Sequence, residues 1–139
     1  MNWIFWALMS AFFAGATAVL AKVGVTGISS NLATAIRTSV VLVTTWIIVG
    51  VSEGSVSFGL LTKRTWIFLG LSGVATALSW LCYFRALQLG QAGQVASLDK
   101  LSVVVVVLFS AMFLDEAITA KTLLGVGLIV GGAILLITK

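Results

Sequence analysis

The sequence predicts an all-α integral membrane protein built from five transmembrane helices. Three observations carry this reading. Of the 139 residues, 60% are hydrophobic and only 9% are charged, where a soluble domain needs about a quarter charged residues to wet its surface. The mean hydropathy is +1.21, so the outer surface has to face lipid. The few charges punctuate apolar runs, each close to the roughly 20 residues that cross about 30 Å of hydrocarbon. No linker or composition shift divides the chain, which reads as one domain over residues 1–139.

The first helix covers residues 3–21, a run with no charge that Lys22 ends. A cleaved signal peptide is the alternative, since Ala14 to Ala21 resembles a small-residue cleavage region; however, no Lys or Arg precedes the run, and it is long enough to span. The second helix covers 32–51 and is closed by Glu53, with Arg37 near its start. The third covers 66–87, between the Lys63-Arg64 pair and Arg85, and the fourth covers 94–114, closed by Asp115 and Glu116. The fifth covers 121–138. Val103 to Val107 would read as a buried strand in water, but a lipid-exposed barrel needs apolar and polar residues alternating in segments of about ten. That alternation is missing, and helices satisfy their own backbone in lipid.

Helical periodicity separates these segments into two kinds. Ser72, Thr76, Ser79 and Tyr83 share one face of the third helix, and Thr34, Thr38 and Thr45 one face of the second. Ser10 and Thr17 form a thinner stripe on the first, and Asp99, Ser102 and Ser110 fall within a narrow arc of the fourth. Ser and Thr commonly bond to their own helix backbone, but four successive stripes favour a polar cleft or shared interior. The fifth helix has no hydroxyl from Leu123 to Ile137. Its Gly127 and Gly131 form a GxxxG, which lets helix backbones approach closely. Helices one to four therefore surround the expected path, with Trp80 and Tyr83 as aromatic walls, and helix five is scaffold or dimer interface. Trp3, Trp6, Trp46 and Trp66 read as interfacial anchors or packing residues.

One feature is expensive. Asp99 and Lys100 stand inside the fourth helix, and a charge near a helix centre costs about 2.5–3.5 kcal/mol on insertion scales. Lys100 can snorkel, whereas a carboxylate has less reach. Topology brings Arg37 and Arg85 to the same level as Asp99, so these two, with the less favourably oriented Lys100, are its expected charge partners. Two roles stay open: a bridge that locks helices together, and a switchable carboxylate that releases its counter-ion when substrate or a proton binds. Lys22, Arg37, Arg85, Lys100 and Lys139 belong to the side opposite the amino terminus, and Lys63, Arg64 and Lys121 to its own side. Three of the first five are intramembrane, so the positive-inside rule sets no orientation.

Several classes are disfavoured. Cys82 is the single cysteine and histidine is absent, and no metal-ligand cluster, glycine-rich phosphate loop or paired intramembrane acids stand out. No enzyme activity, cofactor, metal or nucleic-acid partner is expected.

The stretch from Ala86 to Ser97 (ALQLGQAGQVAS), the apolar helix after it, the Phe113 to Glu116 run (FLDE) and the Leu124 to Gly132 run (LGVGLIVGG) follow in order. Together with Tyr83 before Ala86-Leu87, and Arg37 in Ala35-Ile36-Arg37, they resemble the repeat unit of the drug/metabolite transporter superfamily, EamA type, from end to end. The sequence departs from that pattern in having no proline in the fourth helix, near Val103, and in carrying Asp99-Lys100 where small or apolar residues are usual. It also lacks the first-helix glutamate of the small multidrug-resistance relatives. The resemblance implies half of a ten-helix, inverted-repeat transporter. An odd number of spans puts successive copies in opposite orientations, so an antiparallel homodimer, or a paralogous partner of opposite orientation, would close the cleft. The expected protein is a multi-pass carrier of the inner or plasma membrane. It would move small metabolites by alternating access, driven by protons or exchange, with a weak lean to zwitterionic or anionic solutes. The alternative is a non-transporting membrane subunit whose polar faces bury against another membrane protein.

Overall fold

The computed structural model describes residues 2–52, 59 and 61–138. Glu53 and Lys139, which mark the ends of the second and fifth spans in the charge pattern, lie outside the described residues. The helices are α1 (Trp3–Gly24), α2 (Ser30–Ser52), α3 (Lys63–Leu89), α4 (Ala92–Asp99), α5 (Ser102–Phe113) and α6 (Ala120–Ile137). Among the described residues there is no strand. Five segments are long and apolar enough to cross a membrane, the fourth being α4 and α5 taken together as Ala92–Phe113. The all-α, five-span architecture expected from the sequence is therefore present.

The first three helices run past the ends that the charge pattern marks, whereas the fourth and fifth spans each stop one residue short. α1 continues through Lys22, and α3 contains Lys63, Arg64 and Arg85. A charge at the membrane edge does not stop a helix, because its long stem lies along the helix while the head reaches outward. The starts of α1, α2, α3 and α6 share a side-chain cap, which the starts of α4 and α5 lack. Asn2 Oδ1 accepts from the Ile4 N–H at 3.3 Å and Ser29 Oγ from Leu32 at 3.2 Å. Thr62 and Thr119 accept from Thr65 and Thr122, each at 3.2 Å. Each satisfies one of the amides that the first turn leaves without an intrahelical partner. α5 ends with Asp115 in the left-handed region (φ 53°), and the Glu116 N–H donates to the Ser110 carbonyl at 3.3 Å. Asp tolerates that conformation better than most residues.

The chain forms two compact units, Met1–Ala21 with Leu89–Lys139, and Lys22–Gln88. In the first, α4 packs on α6. Val95 and Ala133 are buried, and Gln94 Nε2 donates to the Leu136 carbonyl at 3.4 Å. The inward face of α6 is Thr122, Val126, Val130 and Ala133, spaced as one helical stripe. In the second unit, the inward face of α2 is Ala33, Thr34, Arg37 and Val41, and α3 buries Phe84 and Leu87. Most large apolar side chains point outward, Leu128 at 78% exposure among them. On a soluble monomer such a surface would drive aggregation; here it is the face for lipid and for other membrane helices.

Candidate functional site

The fourth span is broken where its two charges stand. Lys100 N–H donates to Ser97 O (3.2 Å), Leu101 to Leu98 (2.9 Å), Val103 to Lys100 (3.0 Å) and Val104 to Leu101 (3.0 Å). Each bond spans three residues rather than four, the 3₁₀ pattern, which is often a hinge when it occurs inside a helix. A 3₁₀ residue turns about 20° further than an α residue, so the two turn residues Lys100 and Leu101 rotate α5 by about 40° relative to a continuous helix. The expected arc of Asp99, Ser102 and Ser110 is altered accordingly. Asp99, Lys100 and Ser102 are exposed, whereas Ser110 is half-buried with its hydroxyl donating to Val107 O at 3.2 Å. The Asp99 carbonyl also loses its usual donor, since the Val103 N–H goes to Lys100 O.

The other expected path residues divide by how their hydroxyls are used. Thr38 donates to Thr34 O at 2.8 Å, Thr45 to Val41 O at 2.9 Å and Thr76 to Ser72 O at 2.9 Å. These are bonds to the residues' own helices, the ordinary use of Ser and Thr in membranes. Ser10, Ser72 and Ser79 are exposed and Thr17 is half-buried. Gly127 and Gly131 are open: a Cβ built on either would meet nothing within 4 Å.

Arg37 is brought together with Trp80 within the second unit. Its guanidinium carbon lies 4.1 Å from the Trp80 ring centroid and 5.6 Å from that of Phe84, within the range of cation–π attraction. Tyr83, one turn from Trp80, is half-buried and interacts electrostatically with Arg37. Phe84 is absent from the expected site; its position four residues after Trp80, on the same face of α3, is the signal that could have found it.

A second polar cluster joins the α1–α2 turn to the end of α3. Lys22 Nζ donates to the Leu87 carbonyl, and Gln88 Nε2 donates to the Ile28 carbonyl at 2.8 Å and the Val25 carbonyl at 3.4 Å. Arg85 Nη1 donates to Gln88 Oε1 at 3.1 Å. The last carbonyls of a helix lack intrahelical donors, and a cation suits the negative end of the helix dipole; Lys22 meets both needs at α3. Gly27 turns the chain between α1 and α2 with φ 81°, a conformation glycine adopts without steric cost. The open cavity here, about 340 Å³, is lined by Lys22, Thr26, Gly27, Leu87 and Gln88. Arg85 is thus engaged by Gln88 and Arg37 by rings, both inside the second unit, while Asp99 belongs to the first.

Comparison with known proteins adds three findings. The model of the EamA-like transporter family matches residues 1–138. A protein of Sinorhizobium sp named as an uncharacterized transporter in the cobO 3' region is 52% identical over 135 residues, covering 97% of this chain and 96% of that one. No solved structure matches the chain.

Proposed function

This chain belongs to the EamA-like transporter family, and on that premise we propose that it carries small metabolites across the inner or plasma membrane by alternating access, as one half of a dimer. The observation that carries the mechanism is the broken fourth span. A spanning helix interrupted beside an ionisable residue gives backbone carbonyls and a carboxylate at membrane depth, the combination that transporters use for substrates and coupling ions. Asp99 is the group assigned to the coupling proton, and the 3₁₀ turn after it is the joint about which α5 moves. Five spans leave a second copy free to insert in the opposite orientation, so an antiparallel homodimer completes the path; a paralogous partner is the alternative.

The test is flux into liposomes holding the purified protein, challenged with amino acids, nucleosides, sugars, amines and organic acids. A carrier moves at least one class, and Asp99→Asn abolishes acceleration by a proton gradient while the protein still inserts and assembles. The threonines bonded to their own helices favour a second reading, a membrane subunit whose polar faces bury against another protein. On that reading no class is moved, and Asp99→Asn changes only assembly.

A further inference from the structure

We infer that the Arg37 guanidinium, held over the Trp80 ring between α2 and α3, is the docking point for a carboxylate group on the transported solute. The inference rests on the carrier reading and assigns the chemistry of its cargo. Arg37 stands seven residues into α2, about 10 Å along the helix. An arginine at such depth is costly, so its partner defines its use. The partners within its unit are the aromatic rings of Trp80 at 4.1 Å and Phe84 at 5.6 Å, with the half-buried Tyr83 interacting electrostatically.

A ring satisfies the flat face of a guanidinium and supplies no acceptor to its N–H edge. Among the described residues, that edge makes no hydrogen bond or ion pair to the protein. The contrast lies within the same unit: Lys22 is engaged by the Leu87 carbonyl and Arg85 by Gln88 Oε1. Arg37 alone of these three is held by rings, which fix its orientation without supplying an acceptor. Five N–H donors in a rigid fork match the two oxygens of a carboxylate. Charge selects further. One guanidinium neutralises one carboxylate, whereas a phosphate dianion needs a second cation, and in the same unit Lys22 is engaged by the Leu87 carbonyl and Arg85 by Gln88. Trp80 and Phe84 are then positioning residues that hold the fork, and their apolar surface suits a solute whose body is not highly polar.

The experiment uses purified full-length protein in liposomes and solute pairs that differ only at the carboxyl: alanine and alaninamide, lactate and lactamide, benzoate and benzamide. The expected result is uptake of an acid with its amide carried poorly. Arg37→Gln should raise KM for the acid about 10- to 100-fold, the loss expected for a hydrogen bond to a charged group, with kcat unchanged within about threefold. Arg37→Lys should recover part of that affinity because charge remains and the fork is lost. Trp80→Leu should raise KM for acids and leave amides unaffected.

Equal transport of acids and amides, both depressed alike by Arg37→Gln, overturns the inference and makes Arg37 a structural counter-ion. Flux of sugars or amines but of no acid overturns it too, while the carrier reading stands. Absence of flux for every class counts against the carrier reading itself. In that event, and where a variant folds poorly, the melting temperature in detergent decides: an acid should raise it and its amide should not, with the difference lost in Arg37→Lys. Identical shifts from acid and amide overturn the inference.

Discussion

Gln88 is the side chain on which the second unit closes. Its amide nitrogen reaches two carbonyls of the α1–α2 turn, and its oxygen accepts from Arg85. Gln88→Ala leaves those carbonyls and one guanidinium N–H without their donor and acceptor. A net loss of about 1–2 kcal/mol follows, which should lower the melting temperature in detergent by several degrees. Gln88 needs a distant partner to be recognised, since Ile28 is sixty residues away; periodicity along one helix cannot find it. The same holds for Arg37. Its place near the start of the second helix was legible from the charge spacing, and Trp80 was expected as an aromatic wall, but their mutual contact depends on how two helices are rotated. The threonine stripes illustrate the converse. Their spacing is plain in the sequence, yet Thr38, Thr45 and Thr76 spend their hydroxyls one turn back, so spacing alone did not say what the stripe does.

At the level of elements, the spans were legible because lipid demands long apolar runs, and hydrophobic length survives any tertiary arrangement. The break in the fourth was not. Helix breaks are usually marked by Pro or Gly, and the sequence from Val95 to Leu114 contains neither. Asp99 is the local cause available, since an Asp side chain competes with helical backbone bonding. The broken geometry makes a prediction about proline. Ser102 is the first residue of α5, a position where the amide is not needed by the helix. Ser102→Pro sacrifices no helical amide and should cost only the strain of a proline after the αR residue Leu101, whereas Val106→Pro, inside α5, should cost about 3 kcal/mol or more and lower the yield of inserted protein further. Caps belong to this scale as well. Thr119→Ala removes the acceptor for the Thr122 N–H and should cost about 1 kcal/mol, seen as earlier hydrogen exchange at the start of α6.

For the whole molecule, the decisive questions are orientation and partner. An antiparallel homodimer requires the chain to insert both ways. Reporters fused after Lys139 should therefore label both sides of the membrane in comparable amounts; labelling of one side only removes the homodimer and leaves the paralogous partner. The open glycines of α6 supply a second check. Gly127 and Gly131 have room for a side chain within the chain, so Gly131→Leu should leave the melting temperature of the monomer nearly unchanged. If α6 is the dimer interface, the same substitution weakens dimerisation, measured by cysteine cross-linking along α6.

On the proposed carrier reading, the break in the fourth span also has a mechanical meaning. α4 packs on α6, with Gln94 bonded to the Leu136 carbonyl, so the joint would sit at the end of a supported post. Beyond it α5 is an arm of 12 residues, about 18 Å long. A swing of about 20° at the joint moves the far tip of that arm by about 6 Å, roughly the width of a small organic molecule. The stroke of such a lever depends on where the pivot sits. Moving the pivot one helical turn toward Phe113 would shorten the arm by about 5 Å and reduce the tip's travel by nearly a third.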